Sequence, residues 1–160
     1  MLSLYSTLVL PYLNYGILAW GNCCTSQLNR ILLLQKKSMR IVSKVHYLAH
    51  TDSLFRLHKV LKICDIYRLN LATLAFQFHN HELPSIFNHM FTFNNEVHHY
   101  PTRQIDLYHL PRTRTVFAQD TFTFAAPKLW NSLPQSIREL RNFVTFKSKL
   151  KKEFITAYGT

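Results

Sequence analysis

The sequence predicts a mainly α fold, a helical bundle with a small β-hairpin and a C-terminal helix. One observation is the run Asp65–His81, whose apolar residues surround the whole helix and predict a central helix covered on all sides. A second is the run Leu28–Lys44, whose apolar residues recur at helical spacing. A third is size, because 160 residues with 48% hydrophobic content suffice for one compact core.

The first half of the chain, residues 1–91, reads as a helical domain. Ser3–Trp20 predicts a kinked helix or two short helices, because Pro11 interrupts it, and Gly21 should end it. A short helix is expected over Ser53–Leu61. Asp65 is a plausible N-cap of the central helix, since its carboxylate can accept from the N–H groups of the first turn.

The second half, residues 92–160, predicts an extension packed on the first half as one unit. Thr113–Phe117 and Thr121–Phe124 alternate with period two, which favours the β-hairpin. Trp130 should be a buried structural anchor, and a helix over Asn142–Ala157 should end the chain. Between Asn94 and Pro111 helical periodicity is absent, so an ordered excursion or a loop lying over the surface is expected there.

Charge and cysteine content narrow the class of protein. The chain has 19 Lys and Arg against 8 Asp and Glu, a net charge of +11, which favours a polyanionic partner, nucleic acid before a membrane surface. Three cysteines form no even disulfide framework, which favours a reducing intracellular compartment, cytoplasm or nucleus. Pro11, Asn14 and three tyrosines interrupt the apolar N-terminal run, so no membrane segment is expected.

Neither a catalytic site nor a metal site is predicted, and no cofactor is implied. The eight Asp and Glu are scattered, whereas a two-metal polymerase or nuclease site needs clustered carboxylates. His79 and His81 are two residues apart and point to different sides of a helix, which disfavours zinc. No local signature of a nucleophile surrounds Cys23, Cys24 or Cys64.

The candidate binding residues are all basic. Five lie opposite the apolar positions of the run Leu28–Lys44, and three lie in the second half of the chain. They are Arg30, Lys36, Lys37, Arg40, Lys44, Arg103, Arg112 and Arg114. A charged helix face is often only solvated. Here almost no acid accompanies these groups, and like charges repel each other unless phosphates neutralise them, so contacts to RNA or an RNA–DNA duplex are expected.

Seven runs resemble, in order, the C-terminal part of reverse transcriptases from non-LTR retrotransposons, long interspersed elements of the jockey type. The runs are LPYLNYGILAWG (Leu10–Gly21), LNRILLLQKKSMRIV (Leu28–Val42), YLAHTDSLF (Tyr47–Phe55), HHYPTR (His98–Arg103), LPRTRT (Leu110–Thr115), APKLWNSLP (Ala126–Pro134) and FKSKLKKEF (Phe146–Phe154). The resemblance implies that residues 1–91 are a thumb-like domain that holds template-primer nucleic acid through its basic helix faces.

The sequence also departs from that family. Nothing here corresponds to the Tyr-Ala-Asp-Asp-like turn of the catalytic palm. We therefore expect a C-terminal fragment of an RNA-directed DNA polymerase that is not an enzyme on its own and whose natural neighbour is the palm domain of a parent polymerase. The alternative is a helical protein-interaction or inert remnant domain with no nucleic-acid role.

Overall fold

The chain is mainly helical in the computed structural model, which describes residues 2–87, 89–97 and 105–158. Its α-helices are α1 (Leu2–Leu4), α2 (Leu10–Asn14), α3 (Ile17–Trp20), α4 (Thr25–Ser43), α5 (Asp52–Leu57), α6 (Ile63–His79), α7 (Asn94–Val97), α8 (Val116–Asp120), α9 (Phe122–Ser132), α10 (Gln135–Arg138) and α11 (Phe143–Thr156). A π-helical turn spans Tyr5–Val9, and a 3-10 turn spans Ser85–Phe87. The predicted mainly α class is confirmed.

The chain divides into two compact units. Unit 1 combines Met1–Asn70 with Lys147–Thr160, and unit 2 is Leu71–Phe146. The boundaries between them fall inside α6 and α11. The division into residues 1–91 and 92–160 that the sequence suggested stays a prediction. Among the described residues, no helix is both long enough and apolar enough to cross a membrane.

The N-terminal segment of unit 1 is broken, as its sequence predicts, but the break follows Asn14, whereas Pro11 lies inside α2. The helical path ends at Asn14, and α3 begins only after Gly16, which has a φ of +60°. Gly21 then ends α3. A Cβ on Gly21 would lie 2.5 Å from the ring of Tyr67, so only glycine permits this close approach.

Helix α6 is the central helix that the sequence predicted, with a different start. The amide of Ile66 donates to the carbonyl of Lys62 at 2.9 Å, so the helix begins at Ile63 and Asp65 is not its N-cap. The carboxylate of Asp65 instead accepts from the hydroxyl of Tyr158 at 2.5 Å. The same hydroxyl accepts from the amide of Lys62 at 3.0 Å, so Tyr158, 96 positions further along the chain, satisfies a backbone N–H at the start of the helix.

An aromatic cluster forms the core of unit 2. Trp130 is 1% exposed and contacts the ring of His79, with centroids 5.0 Å apart. Phe76 stacks on Phe146 at 4.5 Å, and Phe78 packs edge-on against Tyr108 at 5.9 Å. The predicted burial of Trp130 is therefore confirmed.

The predicted β-hairpin is wrong. Thr113–Phe117 is irregular as far as Thr115, and α8 and α9 occupy the rest of the expected strands. The hydroxyl of Thr115 accepts from the amide of Ala118 at 3.2 Å, which makes it an N-cap rather than a strand residue. The strand pairing that the described residues do show is one antiparallel bridge, between Phe93 and Tyr108.

Two physical reasons explain the error. Threonine favours strands and also caps helices, so a Thr-rich run predicts either element until its hydrogen bonds are known. The aromatic residues at alternate positions of the run Thr121–Phe124 suggested one buried face of a strand. In the structure Phe122 contacts Phe91 at 5.4 Å from the first turn of α9, so helix packing satisfies the same pattern.

Candidate nucleic-acid interface

The inner face of α4 is held by Gln35, which is 1% exposed. Its amide nitrogen donates to the hydroxyl of Tyr5 and to the carbonyl of Leu61, both at 2.8 Å. Its amide oxygen accepts from the backbone N–H of Ile63 at 2.9 Å. Both the nitrogen and the oxygen of this buried amide are therefore hydrogen-bonded. Met39 is buried on the same side of α4, so these two residues fix which face of the helix points inward.

The outer face of α4 is basic, as the sequence predicts. Arg30 and Lys37 are exposed on it, and Lys44 is exposed at its C-cap with a φ of +53°. We call Arg30, Lys37 and Lys44 the basic trio. Helix α4 contains no Asp or Glu, and the ion pairs Lys62–Asp52 (3.0 Å) and Arg68–Asp65 (3.6 Å) lie elsewhere in unit 1. The charges of the trio therefore face solvent.

The other two predicted residues of α4 are placed differently. Arg40 is half-buried, and its Nε donates to the carbonyl of Ala49 at 2.9 Å, so it anchors the segment that follows the helix. Lys36 is half-buried at the side of α4. Both residues lie next to the basic trio, but neither side chain is as freely presented.

Large apolar side chains share the outer face of α4 with the basic trio. Leu33 is 57% exposed, Leu34 is 62% exposed and Ile41 is 73% exposed. Single exposed apolar residues are ordinary on protein surfaces. Three on one helix, between basic residues, form a surface that suits either a partner with both anionic and apolar groups or a neighbouring protein domain.

The predicted residues of the second half of the chain belong to unit 2. Arg112 and Arg114 are both exposed, in an irregular segment before α8 rather than on a strand. No strand is present there to project both side chains from one face, although both are accessible. Arg103 lies outside the described residues.

Net charge is divided very unequally between the two units. Unit 1 has 13 Lys and Arg against three Asp and Glu, a net charge of +10. Unit 2 has six Lys and Arg against five Asp and Glu, a net charge of +1. The sequence alone does not reveal this division, because Lys147, Lys149, Lys151 and Lys152 join the N-terminal residues only in the folded chain.

A polar cavity that sequence reasoning missed lies in unit 2. It has a volume of about 610 Å³, and its lining residues are His79, Asn80, His81, Arg138, Glu139, Leu140 and Arg141. Burial lowers the pKa of His79 from its ordinary value, and the charges of His81 and Arg138 lower it further. No local signal connects α6 with a segment about 60 residues away.

A hydrogen bond fixes the imidazole of His79. Its Nδ1 lies 3.0 Å from the hydroxyl of Tyr108, and burial raises the pKa of that phenol, so the phenol stays protonated. Asn131 holds the backbone of Tyr108 on both sides, accepting from its N–H at 3.1 Å and donating to its carbonyl at 2.8 Å. The cluster is a satisfied part of the core of unit 2.

No metal centre is present among the described residues, since no three His, Cys, Asp or Glu side chains there come together to hold an ion. The three cysteines are free thiols. A hydrogen bond with the hydroxyl of Ser26, 3.2 Å away, lowers the pKa of the exposed Cys24, whereas burial raises that of Cys64.

Comparison of the chain with models of known protein families, with curated proteins and with solved structures gives no match.

Proposed function

We propose that the chain binds the sugar-phosphate backbone of RNA or of an RNA–DNA duplex, through unit 1. The observation that carries this proposal is the concentration of charge, a net +10 in unit 1 against +1 in unit 2. A surface of one sign attracts a polyanion and gains free energy by releasing its counterions. The basic trio on α4 is the contact surface that we assign first.

The arrangement of α4 supports this assignment. The inner face is occupied by the buried hydrogen bonds of Gln35, so the helix cannot turn its basic side inward. Phosphate contacts carry no base sequence information, so we expect affinity without strong sequence preference. Arg112 and Arg114 remain candidate secondary contacts.

We further propose that the chain corresponds to the C-terminal part of a non-LTR retrotransposon reverse transcriptase, without the catalytic palm. The seven runs in the family's order support this proposal, and so does a helical unit with an outward basic helix. In this proposal the chain itself is not an enzyme, and the palm domain of a parent polymerase is its natural protein neighbour.

The salt dependence of binding tests the nucleic-acid proposal. If the basic trio neutralises three phosphates, log K should fall against log salt with a slope of about −2.7 from this surface. Replacing Lys37 and Lys44 by Gln should reduce the magnitude of the slope by about 1.8, because two phosphate contacts are lost. Fluorescence anisotropy with a labelled 20-base-pair RNA–DNA duplex between 25 and 200 mM KCl gives both slopes.

The matched control is Lys128→Gln, which removes one exposed charge from unit 2 and should leave the slope unchanged. An unchanged slope in the double variant would place the contact outside the basic trio. No binding by the folded chain at 25 mM KCl would contradict the nucleic-acid proposal as a whole.

A second candidate function is protein binding through α4. The observation that favours it is the exposure of Leu33, Leu34 and Ile41. Replacing Leu34 and Ile41 by Ser would then abolish association with a palm domain supplied as a separate chain. The same substitutions should leave the salt slope for nucleic acid unchanged, so the two functions are distinguishable.

A further inference from the structure

Unit 1 contains a cavity of about 550 Å³ that the proposed nucleic-acid surface does not use. Its wall is mainly aliphatic and includes the buried side chains of Leu61, Ile66 and Leu69. Polar side chains also line it, namely those of Ser3, Ser6, Asn14, His58 and Asn70. A cavity of this size is in the range of small-molecule sites. Its apolar wall would gain free energy by excluding water.

The rim of this cavity is cationic. Lys59, Lys147 and Lys151 line it, and no Asp or Glu is found among the described residues around it. Lys147 and Lys151 are one helical turn apart on α11, so they lie on one side of that helix. Lys59 comes from the N-terminal segment of unit 1, in the turn after α5.

The backbone of Lys59 is also unusual. Its φ is +54°, in the left-handed region that glycine adopts without strain. The turn is closed by a hydrogen bond from the amide of Val60 to the carbonyl of Phe55 at 2.9 Å. A lysine at this position places a charge at the mouth of the cavity in a turn that would be easier to form with glycine.

We infer that this cavity binds a small amphipathic anion, an alkyl chain in the aliphatic interior with a carboxylate at the lysine rim. Aliphatic side chains in the wall favour an alkyl chain over a nucleobase. Of the two rings in the lining, that of Tyr5 is 1% exposed and offers no face for stacking, and that of His58 is half-buried with its Nε2 2.9 Å from the hydroxyl of Ser43. Point charges on lysine suit a carboxylate head group. This inference is independent of the proposed nucleic-acid function.

Titration calorimetry of the full chain with saturated carboxylates of 8, 10 and 12 carbons, below the concentration at which they form micelles, tests the inference. We expect one site per chain and an affinity that rises about fourfold per added methylene. The 12-carbon alcohol should bind at least about tenfold more weakly than the carboxylate, because it lacks the charge that the lysines recognise.

Two variants locate the site. The double variant Lys59→Gln with Lys151→Gln should bind the 12-carbon carboxylate about tenfold more weakly than wild type. Its affinity for the 12-carbon alcohol should be unchanged. Ser6→Phe, at a serine that lines the cavity, should weaken both ligands by occupying the interior. The matched control replaces Lys37 and Lys44 of the basic trio by Gln. It should leave the affinities for both the carboxylate and the alcohol unchanged. Circular dichroism confirms that each variant is folded.

Four results would overturn the inference. They are an affinity that does not depend on chain length, equal binding of alcohol and carboxylate, more than one site per chain, and unchanged binding by Ser6→Phe. Tighter binding of adenosine monophosphate than of the 12-carbon carboxylate would likewise contradict it and make the cavity a nucleotide site.

Discussion

Gln35 shows how much a single residue organises unit 1. Its side chain connects Tyr5 of the π-helical turn with Leu61, two positions before α6, and with Ile63, the first residue of α6. Burial raises the pKa of Tyr5, so its hydroxyl remains an uncharged partner. In the sequence Gln35 only occupies an inward position of an amphipathic helix, with no indication of what it meets.

Gln35→Met should lower the free energy of unfolding by about 2–4 kcal/mol, because it leaves the buried N–H of Ile63 and carbonyl of Leu61 without partners. Urea unfolding followed by circular dichroism measures the change. Gln27→Met, exposed on the same helix, is the control and should stay within about 0.5 kcal/mol of wild type. Equal effects of the two substitutions would contradict the role of Gln35.

His79 should make the stability of the chain depend on pH. Burial and the positive charges of His81 and Arg138 lower its pKa in the folded chain, whereas in the unfolded chain it is near about 6.5. The unfolded state therefore binds more protons between the two pKa values. The contribution of neutral His79 to the free energy of unfolding is therefore complete above the unfolded-state pKa. It is lost as the pH falls through the folded-state pKa.

The stability advantage of wild type over His79→Gln should therefore shrink between pH 7.5 and pH 5. Urea unfolding at both pH values measures it. His89→Gln, at an exposed histidine of the same unit, is the control for replacing a histidine by glutamine. A constant advantage over His79→Gln would show that the imidazole titrates alike in the folded and unfolded states.

At the scale of elements, short helices gain stability from the side chains they bury. Helix α9 has only 11 residues and contains Pro127, which lacks an N–H for the helical hydrogen-bond pattern. Burial of Trp130 and Ala126 offsets this weakness. The indole lies 6.0 Å from the ring of Phe146 and 6.4 Å from that of Tyr108, ring centre to ring centre.

Trp130→Ala should lower the free energy of unfolding by about 3–5 kcal/mol, since it leaves a large cavity in the core of unit 2. Urea unfolding at 10 °C, followed by circular dichroism, checks this. Phe117→Ala removes an aromatic side chain that is 83% exposed and should have little effect. A Trp130→Ala variant as stable as wild type would show that the aromatic cluster contributes less than its burial indicates.

At the scale of the whole molecule, the eight acidic residues are divided between the two units, and in the part of the chain that the structure describes no three His, Cys, Asp or Glu side chains come together to hold a metal ion. Three are in unit 1 and five are in unit 2. In unit 1, Asp52 is paired with Lys62 and Asp65 with Arg68 and Tyr158. Two-metal catalysis requires carboxylates that hold ions about 3.5–4 Å apart.

The purified chain should therefore show no primer extension on an RNA template with Mg²⁺ or Mn²⁺. A gel assay with labelled primer measures this, with a complete reverse transcriptase as positive control. Extension that is lost on Asp52→Asn or Asp65→Asn would contradict the prediction, because it would show that a carboxylate of this chain holds the catalytic metal.

The sequence by itself determined the features that depend on local periodicity. The central helix α6, the amphipathic helix α4, the end of α3 at Gly21 and the buried position of Trp130 all follow from spacing and residue type. The basic side of α4 follows in the same way, because its apolar residues select the opposite side for the core.

Tertiary structure decided what depends on residues distant in the chain. The start of α6 was mispredicted because Tyr158, 93 positions from Asp65, takes the carboxylate that local rules assign to a cap. The hairpin was mispredicted because Thr115 caps α8 instead of pairing in a sheet. Both cavities and the +10 charge of unit 1 are formed by segments that are distant in the sequence. Local periodicity does not predict which distant segments come into contact.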